Sequence, residues 1–175
     1  MIVLENRLKE IFDQLPNITV GENSFKPTFS YGDDKDLNLY IRTTLKGKSI
    51  YPLIWLVYPS SEEHNYTSTK LKSDIKLILA VKNKDTSLLN EQRYNTTFDR
   101  ILLPLLENVL KAFKGTKIAA INEDSEGYLY RIKKFPNYGD QEANAISHKT
   151  IEPWDAIRLE FNLTVNNCKI DNINF

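Results

Sequence analysis

The sequence predicts a single α+β domain spanning residues 1–175: a mostly antiparallel sheet of about five strands, with an N-terminal helix and a long central helix packed on it, in the order α-β-β-β-α-β-β. Three observations lead there. Apolar residues recur at helical spacing near the start and again between Tyr94 and Phe113. Two segments alternate apolar and polar side chains with period two, at 75–81 and 157–165. A short run between two prolines, residues 53–58, is apolar on both faces, as a strand covered on each side would be.

Taken in order, Leu4, Leu8, Ile11, Phe12 and Leu15 form the apolar stripe of an amphipathic helix that Pro16 stops. After a turn-rich stretch from Pro27 to Asp36, the alternation in Leu37-Asn-Leu-Tyr-Ile-Arg42 predicts a half-buried strand, which Gly47 follows. Leu53-Ile-Trp-Leu-Val-Tyr58 is expected in the middle of the sheet. A polar segment then leads into Ile75, Leu77, Leu79 and Val81, and the pair predicts a hairpin with a long loop. Tyr94, Phe98, Ile101, Leu102, Leu105, Leu106, Val109 and Phe113 share a helical face, with Gly115 near the expected C-cap. Pro104 inside this helix removes a hydrogen bond, so a kink or a restart as two segments is expected there. Strands at 128–132 and 157–165 close the domain, separated by a long surface excursion from Phe135 to Trp154.

Composition bounds the function. The chain is 41% hydrophobic and 26% charged, near globular values, and 175 residues are enough to bury a substantial core. Lys plus Arg and Asp plus Glu are both 23, whereas proteins that wrap nucleic acid generally carry a basic excess. Sequence-specific nucleic-acid binding is therefore not expected. One cysteine, Cys168, and two histidines fall short of a zinc ligand set. No apolar stretch reaches the length of a membrane span, and the first residues lack the apolar core of a signal peptide, so no membrane partner is expected. The sequons at Asn17, Asn65, Asn95 and Asn162 are then read as chance occurrences in an Asn- and Thr-rich chain.

The strongest catalytic candidate is Asp74-Ile-Lys76, because Mg²⁺-dependent nucleases place an acid and a lysine two apart, with Asp33, Asp34 or Asp36 available as a second carboxylate. Strand alternation places Asp74 and Lys76 opposite Ile75 and Leu77, the pattern of an ordinary solvated face. His64 and His148 stand in no zincin or nucleophile-elbow motif, and the six glycines form no phosphate-cradling loop. No catalytic residue, cofactor or metal is assigned. Arg131-Ile-Lys-Lys-Phe135 mixes cations and aromatics and reads as the solvent edge of a strand.

The blocks Tyr51-Pro-Leu-Ile-Trp-Leu, Asp74 to Val81, Arg93-Tyr-Asn-Thr-Thr-Phe98, Ile101-Leu-Leu-Pro-Leu-Leu106 and Trp154-Asp-Ala-Ile-Arg-Leu resemble proteins of Bacteroidetes phages and prophages. The element order is similar to that of the tail terminator and neck proteins of tailed phages, and the resemblance runs from Tyr40 to Ile170. It implies a virion structural protein assembled in the host cytoplasm. Such a subunit forms a ring, typically a hexamer, that caps the tail tube and offers a surface to head connector proteins. The parts expected to face neighbours are the 60–70 hairpin, with Ser60, Glu62, His64, Tyr66 and Lys70, and the 136–152 excursion, with Tyr138. Alternatives are the Mg²⁺-dependent nuclease using Asp74 and Lys76, or a small monomeric adaptor that binds another protein.

Overall fold

A computed structural model describes residues 2–44, 50–65, 69–82, 87–138 and 154–175. The α+β class holds, and the main sheet has seven strands and is mixed. At its centre β6 (Lys70–Lys82) and β9 (Trp154–Asn166) run antiparallel through thirteen consecutive residue pairs. Shorter strands flank this ladder end to end. On the β6 side lie β4 (Leu53–Val57) and β5 (Glu62–His64), with β3 (Thr28–Gly32) parallel to β4 beyond it. On the β9 side lie β7 (Ala119–Asn122) and β8 (Arg131–Tyr138). A separate hairpin joins β1 (Ile18–Val20) to β2 (Asn23–Phe25). The 53–58 run is thus buried between two neighbours as expected, but the middle of the sheet belongs to β6 and β9.

Side-chain alternation divides the core in two. Ile75, Leu77 and Leu79 of β6, with Ile157, Leu159, Phe161 and Leu163 of β9, face a helical layer. That layer consists of α1 (Leu4–Phe12) and the central helix, which runs as α3 (Asn90–Arg93), a π-helical segment (Tyr94–Leu102) and α4 (Leu103–Gly115). On the other face Trp55, Ile78, Ala80, Trp154 and Ala156 meet Leu37 and Ile41 of α2 (Asp34–Thr44). Both buried indoles have acceptors: Trp154 Nε1 donates to Tyr51 Oη at 2.7 Å and Trp55 Nε1 to the Gly32 carbonyl at 3.2 Å.

The expected strand at 37–42 is helix α2 instead. Leu37 and Ile41 are buried four residues apart while Leu39 is exposed, so the stripe has helical spacing and the period-two match was coincidental. The start is fixed by a reciprocal cap: Asp33 Oδ1 accepts the Lys35 and Asp36 N–H groups at 2.8 and 2.9 Å, and Asp36 Oδ2 accepts the Asp33 N–H at 3.2 Å. Gly32 is required beside this cap. Its φ is +142°, and a Cβ there would lie 2.5 Å from Asp36 Cβ.

Two further expectations are corrected, and one is met. The turn-rich stretch before Asp36 contains β3. The strand placed at 128–132 begins at Arg131 and extends to Tyr138, because Asp124 Oδ1 accepts the Glu126 and Tyr128 N–H groups at 2.9 Å and holds those residues in a turn. At Pro104 the central helix restarts as a second segment, one of the two outcomes expected: the π run ends at Leu102 and α4 begins at Leu103, with Leu102 and Leu103 both helical at φ −73° and −68°. Most of the 136–152 excursion lies outside the described residues.

Arg93, five residues before Phe98, is carried inward by the π segment. Its Nη1 lies 3.2 Å from Asp155 Oδ1, both side chains are 1% exposed, and its Nε donates to the Leu88 carbonyl at 2.9 Å. Removing one member of a buried pair leaves the other charge less compensated, so Arg93→Met is expected to cost about 3–5 kcal/mol, while Arg93→Met with Asp155→Leu recovers most of the loss. Urea unfolding of the two variants tests this, and a double variant as unstable as the single one would refute it. A second bond ties α1 to the sheet: the Tyr58 hydroxyl donates to the Glu5 carboxylate. Burial, with that carboxylate beside it, raises the Tyr58 hydroxyl above the usual phenol range. In the folded chain it keeps its proton, whereas the unfolded chain ionises near pH 10, so this stabilisation is complete below about pH 10 and fades above it. Tyr58→Phe is expected to cost about 1–2 kcal/mol at pH 7 and to flatten the alkaline fall in stability. Identical alkaline slopes for the two proteins in urea titrations at pH 9–11 would count against the assignment.

Candidate interaction surface

The sheet presents three kinds of surface: two side edges, two ends, and one bare face. The edges come from strand lengths. No described strand pairs with the outer side of β3 or with the outer side of β8. Such edges offer rows of backbone donors and acceptors to another chain. Tyr31 on β3 is 46% exposed, and its ring lies 5.8 Å from that of Tyr58. At the other edge Tyr128, Leu129, Tyr130 and Ile132 are exposed, and Tyr94 of the π segment stands beside them with Lys134 Nζ 4.9 Å from its ring centroid. Arg131 is held by Asp124 and Glu126 at 2.9 and 2.8 Å and covers the Tyr128 ring at 5.5 Å. The basic-aromatic segment read from sequence is therefore an edge strand, as expected. Large exposed apolar clusters on a folded chain mark interaction sites more often than scattered single residues do.

The expected partner-facing residues fall at opposite ends of the sheet. Glu62 and His64 lie on β5, with His64 Nε2 2.9 Å from Glu62 Oε2, and Ser60 precedes them half-buried. Lys70 opens β6 opposite Asn166, the last residue of β9. Tyr138 closes β8 with its backbone opposite Trp154, the first residue of β9. Twelve residue steps separate those two levels, roughly 40 Å at about 3.4 Å per residue. Tyr66 and His148 lie outside the described residues. The hairpin thus sits at one end of the molecule, and the strand that leads into the excursion sits at the other.

The bare face lies below α2, where no described helix covers the lower half of the sheet. Cross-strand rows place Glu63 beside Lys72, Asp74 beside Asn162, and Lys76 beside Glu160. A groove of about 340 Å³ is lined here by Ser61, Glu63, Lys72, Asp74, Glu123 and Asn162. Asp74 and Lys76 are both exposed on this face, and the cross-strand partner of Lys76 is a carboxylate. Asp33, Asp34 and Asp36 stand on the far side of β4, about two strand spacings or roughly 10 Å from β6. That is too far to share one Mg²⁺ ion, whose ligands sit at about 2.1 Å. Among the described residues no group of three His, Cys, Asp or Glu side chains is placed to hold a metal. Cys168 is exposed and unpaired with another cysteine. No described helix is long and apolar enough to cross a membrane.

Sequence reasoning named the end residues and missed the β3 edge altogether, because Tyr31 lay in a segment read as turns. The usable signal was the pair Gly32-Asp33 followed by Asp36, a helix start that leaves only 28–32 free to form a strand. No protein-family model matches the chain, and no curated protein does.

Proposed function

We propose that this chain is a structural assembly subunit that joins copies of itself side by side into a ring, and that the ring is the tail terminator or neck ring of a tailed phage. The observation that carries the reading is a pair of edges on opposite sides of one sheet that no described strand pairs, each with exposed aromatic side chains. Two different edges make a head-to-tail contact, and repeated head-to-tail contacts generate rings when the rotation closes. The ends of the sheet then point above and below the ring. There the Glu62–Lys70 end and the Tyr138 end would meet the tail tube protein and the head connector proteins. On this reading the ring is a hexamer, assembled in the host cytoplasm and retained in the virion. Native mass by light scattering across a concentration series, with negative-stain microscopy of the same sample, tests it. Mass that rises to that of six chains, with rings visible, is the expected outcome. A concentration-independent monomer would refute self-assembly and favour the adaptor.

The groove beside Asp74 favours one second reading, a Mg²⁺-dependent nuclease in which Asp74 holds the ion with Glu63 or Glu123 and Lys76 polarises a water. If the assembly reading is right, plasmid DNA incubated with the protein and Mg²⁺ shows no cleavage that Asp74→Ala abolishes. Asp74→Ala, at an exposed position, should change stability by no more than about 0.5 kcal/mol. Cleavage that is lost in the variant would move the assignment to the nuclease.

A further inference from the structure

We infer that the ring contact is an antiparallel joint in which β8 of one copy adds to β3 of the next, so that the main sheet continues from subunit to subunit. The inference rests on the assembly reading and specifies its interface. Direction comes from the pairing: β3 is parallel to β4, and each later step to β6, β9 and β8 is antiparallel. β8 therefore runs opposite to β3. A second copy set beside the first in the same orientation brings the two edges together antiparallel, the arrangement that lets adjacent strands exchange straight hydrogen bonds.

Register and length agree. The level that runs Tyr31, Leu56, Leu77, Leu159, Ile132 crosses the sheet without interruption, and so does the level from Thr28 through Leu53, Ala80 and Ala156 to Phe135. Five residues of β3 thus face five of β8 before Pro136 and the irregularity after Phe135 end the regular edge. Continued into the next copy, the same level sets exposed Ile132 against exposed Tyr31, both on the side of the sheet that carries α1 and α4. An aromatic and a β-branched residue make a favourable cross-strand pair.

Charge agrees as well. Asp33, Asp34 and Asp36 follow directly on β3, at the end of the sheet where β8 begins with Arg131, itself held by Asp124 and Glu126, while Lys133 and Lys134 lie farther along β8, level with Ser30 and Phe29. Within one chain Lys133 stands opposite Arg158, an unfavourable like-charge pair, and Arg158 is already paired with Glu160 at 3.1 Å. Acids supplied from outside the β8 edge would offset that repulsion. The edge that carries Lys133 and Lys134 and the edge that leads into Asp33, Asp34 and Asp36 differ in charge sign, which favours unlike edges meeting over like ones.

The test uses the full chain with Cys168→Ser as background. Tyr31→Cys combined with Ile132→Cys, mildly oxidised, is expected to give a ladder of covalent multimers on denaturing gels, because directly opposed residues in an antiparallel pair have Cβ atoms about 5 Å apart, close to disulfide range. A mixture of the two single-cysteine variants is expected to stop at a dimer of one chain of each kind. Lys133→Glu with Lys134→Glu, both exposed, is expected to weaken self-association roughly tenfold while circular dichroism stays unchanged. Rings seen by microscopy without the disulfide ladder would overturn the β8–β3 joint and leave the ring reading standing. A parent protein that stays monomeric at every concentration would overturn both.

Discussion

The β6–β9 ladder is the constraint on which the other elements depend. With thirteen pairs in continuous register, every side chain on either strand is assigned to one face or the other, and a slip of one residue would exchange the two sets completely. The sequence makes such a slip expensive. On β9 every second residue from Ile157 to Val165 is buried and apolar, and on β6 Leu71, Ile75, Leu77 and Leu79 match them across the ladder. Moving that row out of water and then exposing it again would cost on the order of 1.5–3 kcal/mol per side chain. The helical layer follows from this row, since α1 and α4 have nowhere else to bury Leu8, Phe12, Leu105 and Val109.

A long central pair with short flanks also determines where the sheet stops. Neither β4 with β5 nor β7 with β8 fills a side as one unbroken strand, and among the described residues only β3 adds a further row. The chain then turns away through Gly32 and the Asp33–Asp36 cap into α2, which covers the upper half of the far face, and no described strand pairs with the outer side of β3. At the opposite edge Asp124 organises the turn ahead of β8, and no described strand pairs with the outer side of β8. Burial thus accounts for the faces of the sheet. It leaves the edges to their backbone groups and to the aromatic side chains that flank them.

What was legible in the sequence depended on how many residues voted for one period. The 75–81 and 157–165 alternations and the Leu4 and Leu105 helices carry long stripes, and each appears where the spacing placed it. Residues 37–42 satisfy both periods, with Leu37, Leu39 and Ile41 alternating and Leu37, Tyr40 and Ile41 lying on a helical face. Only the Asp33 cap decides between them, and it lies outside the window that the alternation test uses. β3, β7 and the β1–β2 hairpin are short, three to five residues each, so their pairing partners define them more than their own composition does. The π segment had no accessible signal beyond the inward Arg93, since an arginine before an apolar stripe ordinarily reads as solvated. For the candidate surface, the charge and aromatic content of 131–135 was visible, but its acidic counterpart after β3 became meaningful only once both were placed on edges of the same sheet.

Two polar links, one buried and one partly buried, bear on how such a subunit would transmit load. Arg93 with Asp155 fastens the start of the central helix to the upper end of β9, and Tyr58 with Glu5 fastens α1 to the end of β4. One link lies near the β8 edge and the other near the β3 edge, so each side of the sheet is anchored to the helical layer by a directional bond in addition to apolar packing. Apolar contacts resist separation but are tolerant of sliding, whereas a hydrogen-bonded pair has a narrow favourable geometry. A sheet whose two edges are each pinned in this way keeps a fixed angle between them. That fixed angle is what a head-to-tail contact needs in order to close on itself after a set number of copies, where a looser subunit would give open chains of variable curvature.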